Sequence, residues 1–204
     1  MWDGLRAAWR GLNNFRLAGY SYIWTNLAFV ALCLPVITAP AAYSALMRVG
    51  YLAHTSPSDA DLAAFWETFR ANLRRALPWG VGNALFAAIN FNNLLAYAPL
   101  NTPLVLALET VWIVAGVIWL GMLLYTWPIY YEMAEPTVGG ALRNALVMVL
   151  QNPLFTLTVL LVIALLAAIS TLLVAAWLLL TWGAIAAIAN AAVLDRLERY
   201  RARS

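Results

Sequence analysis

The chain has 204 residues, 64% hydrophobic and 10% charged, with a net charge of +3, against about 45–50% apolar and roughly 25% charged in soluble domains. All twelve cationic residues are arginines, which excludes chemistry that needs a lysine amine. One cysteine (Cys33) and one histidine (His54) exclude disulfide frameworks and Cys/His metal clusters, leaving an all-α membrane protein with no cofactor and no nucleic-acid partner as the expectation.

Residues 1–19 read as an amphipathic arm. In Gly4-Leu5-Arg6-Ala7-Ala8-Trp9-Arg10, apolar and basic positions recur at helical spacing, as expected of a helix lying in the membrane interface. Residues 20–54 hold two adjoining apolar runs, Tyr20–Val36 and Pro40–Leu52, together too long for one crossing of ~30 Å. Pro35, Thr38 and Pro40 mark the helix reversal between them. The second run is short and carries Arg48, so it either spans with its guanidinium reaching the headgroups or enters as a re-entrant helix.

A second arm over 59–77 contains Thr68-Phe69-Arg70-Ala71-Asn72-Leu73-Arg74. It precedes a hairpin over 78–131, built from the runs Pro78–Pro99 and Pro103–Tyr131 and turning around Asn101. A third arm over 136–151 precedes a hairpin over 152–194 with its turn near Ser170–Thr171, and 195–204 forms a charged tail. This gives one domain of six transmembrane helices as three hairpins, each preceded by an interfacial arm. The repeated order suggests an internal three-unit repeat, although arginine-bearing loops alone would also produce three arms.

The connections Pro35–Pro40, Pro99–Pro103 and Ser170–Thr171 carry no charge, and every arginine belongs to the other side. The positive-inside rule therefore predicts a bacterial cytoplasmic membrane protein with the arms and both termini cytoplasmic. Trp24, Trp79, Trp127, Tyr130 and Tyr131 fall near span ends as expected interfacial anchors, whereas Trp112, Trp119 and Trp177 lie deeper and should pack between helices.

Few polar residues remain inside the spans. Asn26 and Asn190 are expected to bridge helices. Asn83, Asn90 and Asn93 fall near one face of the third span, and Glu109 is the one acid in the outer half of a span. Antiparallel pairing around Asn101 puts Glu109 level with Asn93, so a cluster of Glu109 with Asn93 or Asn90 is expected, either locking the helix pair or holding a proton or polar solute. His54 reads as a solvated loop histidine. Asp3-Gly4 with Ala7-Ala8 starts like a phosphatidyltransferase motif but lacks its later residues, and no Gly-x-Ser-x-Gly or phosphate-loop lysine exists, so no enzyme is expected.

The stretch Leu32-Cys33-Leu34-Pro35-Val36-Ile37-Thr38-Ala39-Pro40-Ala41-Ala42 follows Asn26-Leu27 and precedes Phe65-Trp66-Glu67-Thr68-Phe69-Arg70-Ala71-Asn72. With Ile188-Ala189-Asn190 before the charged tail, it resembles the YesL-like family of bacterial integral membrane proteins. Ala39 departs from that pattern, which usually has glycine before the second proline. The resemblance implies a non-enzymatic accessory subunit of carbohydrate (ABC-type) uptake, with transporter permeases or a second copy as partners, and it supplies no catalytic residue. The alternatives are a small-solute transporter or channel using the Glu109/Asn cluster, and a structural subunit of another membrane complex.

Overall fold

The computed structural model describes residues 1–97, 99–100 and 102–202. Its helices are α1 (Trp2–Leu17), α2 (Gly19–Cys33), α3 (Ala39–Thr55), α4 (Leu62–Tyr97), α5 (Pro103–Glu132), α6 (Val138–Gln151), α7 (Pro153–Leu172) and α8 (Val174–Arg201). A π-helical turn over Trp177–Thr181 interrupts α8. The described residues contain no strand. The turn expected around Asn101, and Arg203 of the tail, lie outside the described residues.

Local signals set several boundaries. Prolines stand in the first turns of α3, α5 and α7, where a missing N–H costs no helix bond. The Thr137 hydroxyl caps α6 by accepting from Gly140 N–H at 3.1 Å. Between α2 and α3 the chain reverses as expected at Pro35–Pro40. The Thr38 hydroxyl donates to the Leu32 carbonyl, and the Pro40 ring sits against Gly80 with no space for a Cβ there. Val36 adopts φ 60°, which for a branched L-residue costs about 1–2 kcal/mol.

Three helix contacts dominate the packing. The arm portion of α4 packs on α3, α6 packs on α5, and α1 closes the circle by packing on α8 and α7. On α4 the buried positions Phe65, Phe69, Asn72, Ala76 and Trp79 alternate four- and three-residue steps, the seam of a closely packed helix pair. On α1 the buried residues are Gly4, Ala7, Ala8 and Gly11, while Trp2, Leu5 and Trp9 form an exposed apolar ridge. Small residues allow the backbones to approach: a Cβ on Gly11 would lie 2.5 Å from the Ile188 Cα.

The centre is formed by α3 and α8. Every residue from 183 to 194 is buried, and Asn190 Nδ2 donates to the Met47 carbonyl of α3 at 3.1 Å. His54 is not a solvated loop residue: it occupies the last turn of α3, partly buried, with Nε2 3.1 Å from the Ala187 carbonyl. Its position follows from the close crossing of α3 and α8, which the local sequence does not reveal.

Ion pairs fasten the termini. Arg199 grips Asp3 with two bonds at 2.7 and 2.9 Å, Arg10 pairs with Glu198 at 3.0 Å, and Arg201 pairs with Glu132 at 2.8 Å. Hydrogen bonds from Arg199, helped by its charge and by Arg196, hold the Asp3 carboxyl below the ordinary carboxylate value. A depressed pKa means that this contribution is full above the ordinary value and lost as pH falls through the lower folded value. Amide hydrogen exchange in α1, taken relative to the unstructured rate at each pH, should therefore stay protected down to about pH 4 and lose protection below it. Asp3→Asn should lose that protection at neutral pH.

Some expectations change. Residues 59–77 and the span starting at 78 are not separate elements. One 36-residue helix runs through Pro78, about 54 Å at ~1.5 Å per residue, because packing on α3 continues across the proline. The last hairpin turns at Leu173, just beyond Ser170–Thr171. Trp79, Trp127 and Tyr130 are buried inside the bundle instead of anchoring at its surface. Three helices, α5, α7 and α8, are long and apolar enough to cross a membrane. By contrast α2 and α3 have 15 and 17 residues, fewer than the ~20 of an ordinary crossing.

Candidate functional site

The second half of α4 and the first half of α5 carry all four residues of the predicted polar cluster, Asn83, Asn90, Asn93 and Glu109. In α5 only 6% of the most apolar stretch is buried, against 72% in α8. Val81, Leu85, Ile89 and Leu95 of α4 and Leu104, Val111, Val114 and Val117 of α5 are exposed. The hairpin projects beyond the packed bundle because below Trp79 the neighbouring helices hold it, whereas above it α4 and α5 have chiefly each other.

Two asparagines fix the pairing. Asn83 Nδ2 donates to its own-helix Trp79 carbonyl at 2.7 Å, and Asn83 Oδ1 accepts from Trp119 Nε1 at 2.8 Å. Seven residues along, Asn90 Nδ2 donates to the Trp112 carbonyl at 2.8 Å, seven residues back on α5. The Trp119 ring also packs on Phe86, with centroids 5.2 Å apart. This is the helix-bridging use of asparagine expected in lipid, worth about 0.6–2 kcal/mol each.

Continuing that register by three residues sets Asn93 level with Glu109. No hydrogen bond joins Glu109 to Asn93 or Asn90, however, and neither Glu109 nor Asn93 has a hydrogen-bond or ion-pair partner among the described residues. The expected Glu109 cluster is therefore not closed. Asn90 is occupied by a main-chain carbonyl, and the helices are tied two turns deeper than the carboxylate. The arrangement leaves the partly buried Glu109 carboxylate and the Asn92 and Asn93 amides without hydrogen-bond partners among the described residues of a mostly apolar projection.

Asn26 and Asn190 do bridge helices. Asn26, fully buried, donates to the Trp177 and Leu178 carbonyls at 3.1 and 2.6 Å and accepts from Gly183 N–H at 2.9 Å. It thus serves the backbone groups around the π turn, where the regular ladder is shifted. Thr181 reinforces the turn by donating to Ser170 Oγ at 2.7 Å. Sequence reasoning found Asn26 but not its partner, since a π turn has no local composition signal in Trp177–Thr181. It also missed the link in which Tyr22 OH donates to Asn14 Oδ1 at 2.9 Å and Asn14 Nδ2 donates to the Ala53 carbonyl at 2.8 Å.

Comparison with protein-family models, curated proteins and solved structures gives no match. The resemblance to the YesL-like family rests on the motif residues themselves.

Proposed function

We propose that this chain is a non-enzymatic accessory subunit of a bacterial cytoplasmic membrane complex, with six crossings, both termini cytoplasmic, and the α4–α5 hairpin as its docking element. One observation carries the reading. The hairpin exposes apolar side chains around both helices, and Glu109, Asn92 and Asn93 on it have no hydrogen-bond partner among the described residues, whereas Asn26, Asn83, Asn90 and Asn190 are hydrogen-bonded. An intramembrane carboxylate facing hydrocarbon is costly, and a polar group on a neighbouring protein relieves that cost. The motif resemblance supplies the class of complex, a carbohydrate ABC-type permease.

A photo-crosslinking residue at Val114 on α5 tests this in cells, with Leu161 on α7, which is similarly exposed, as control. The expected outcome is a discrete protein adduct at Val114, identified as a permease subunit, and none at Leu161. Glu109→Leu should weaken that adduct several-fold while leaving the unfolding transition in place. Absence of any protein adduct, together with solute flux in proteoliposomes that Glu109→Gln abolishes, would overturn the accessory role in favour of transport.

A further inference from the structure

A pocket of about 370 Å³ lies between α3, the start of α4 and the end of α5, within the ~300–1,000 Å³ range of small-ligand sites. Its cations are Arg48 and Arg75, and its anions are Asp59 and Glu67. Arg10, Arg196, Arg199 and Arg201 form ion pairs, whereas Arg6, Arg16, Arg70, Arg74 and Arg143 form none among the described residues and do not line this pocket. Among the described residues Arg48 and Arg75 form none, and neither do Asp59 and Glu67.

The two guanidiniums are nevertheless held in place. Arg48 lies over the rings of Tyr51 and Tyr131, 5.3 and 5.1 Å from their centroids. Tyr131 is itself locked, since its hydroxyl donates to the Ser44 carbonyl at 2.8 Å and accepts from the buried Asn72 Nδ2 at 3.3 Å. Arg75 Nη1 donates to Tyr130 OH at 2.5 Å. Tyr130 packs edge-on to both Tyr131 and Trp127, at 5.3 and 5.2 Å. Ring stacking and a phenol hydrogen bond orient each guanidinium and leave most of its N–H donors unused. Fixed forked donors suit phosphate oxygens, and the two unpaired carboxylates in the same lining suit a cation attached to that phosphate.

We propose that this pocket binds a phosphate bearing a primary ammonium, the ethanolamine phosphate group of a membrane phospholipid or the same group as a free compound. Arg48 and Arg75 receive the phosphate, and Glu67 with Asp59 receives the ammonium. The pocket sits at the arginine-rich end of an apolar bundle, so a headgroup can enter from the membrane surface while its acyl chains remain outside. The assignment rests on these side chains and is independent of the role of the α4–α5 hairpin.

The test is lipid retention by the purified full chain, read by native mass spectrometry after incubation with phosphatidylethanolamine or phosphatidylglycerol vesicles. A parallel arm adds free phosphoethanolamine as competitor. Wild type is expected to retain the ethanolamine lipid in preference to phosphatidylglycerol. Arg75→Gln should lower retention of both roughly tenfold, the scale of one charge-assisted hydrogen bond, and Arg75→Lys should fall between. Glu67→Gln should remove the preference while leaving phosphatidylglycerol retention intact. Both side chains are exposed, so unchanged melting curves are expected and are measured alongside. Displacement of the lipid by equimolar free phosphoethanolamine assigns the site to the soluble compound, and resistance to it assigns the site to the lipid. Equal retention of the two lipids by wild type, or retention indifferent to Arg75→Gln, would overturn the proposal.

Discussion

Replacing Asn26 by leucine is expected to destabilise the protein by about 3 kcal/mol. The side chain is fully buried and serves three backbone groups around the π turn of α8, the carbonyls of Trp177 and Leu178 and the N–H of Gly183. Leucine fills a similar volume but offers neither donor nor acceptor. A buried group left without a partner costs about 1–3 kcal/mol, so stranding Gly183 N–H and removing a donor from two carbonyls sets the scale. Asn92→Leu is the matching control, because Asn92 is exposed on the projecting hairpin, and a change within about 0.5 kcal/mol is expected there. Unfolding by denaturing detergent, followed by tryptophan fluorescence, measures both. An Asn26→Leu midpoint equal to that of Asn92→Leu would show that α8 can revert to a regular helix and satisfy those groups unaided.

Gly11→Val should release α1 from the bundle. The glycine lies where α1 crosses α8, and a Cβ there would stand 2.5 Å from the Ile188 Cα and 2.8 Å from its N. These are main-chain atoms in the fully buried 183–194 stretch of α8, so they cannot rotate aside as a side-chain tip would. Overpacking of this kind costs about 3 kcal/mol or more. Because α1 on α8 closes the circle of arms and hairpins, its loss also separates Asp3 from Arg199 and Arg10 from Glu198. Gly19→Ala is the control, since nothing lies within 4 Å of a Cβ at that position. Labelling of a cysteine placed at Ala7, which is buried in the docked helix, together with thermal unfolding distinguishes the two: Gly11→Val should label fast and melt early, while Gly19→Ala should match wild type.

Much of the helical layout was readable from hydrophobic runs and prolines. The reversal at Pro35–Pro40, the start of α7 at Pro153 and the amphipathic α1 all follow from local chemistry. The continuity of α4 was not readable, because proline within a long helix and proline opening a new one look alike until the partner helix is known. Here α3 lies along the arm portion of α4 and supports it through Pro78. The candidate site divides in the same way. Spacing gave the asparagine face of α4 and the depth of Glu109, yet it could not decide that Asn90 would take the Trp112 carbonyl and leave the carboxylate alone. Arg48 was legible only as a charge at an awkward depth. Its seat between Tyr51 and Tyr131 joins residues from α3 and α5.

Composition and periodicity by themselves determined an all-helical chain with helices apolar enough for a membrane. These are properties of transfer energies and of the 3.6-residue repeat, which act on each segment separately. Only the tertiary structure decided that α4 packs on α3, α6 on α5 and α1 on α8, that Asn26 serves a π turn 151 residues away, and that Arg48 and Arg75 share a pocket with two carboxylates. Such outcomes depend on which helices meet and how closely, and that is set by small residues such as Gly11 at crossings between segments far apart in sequence.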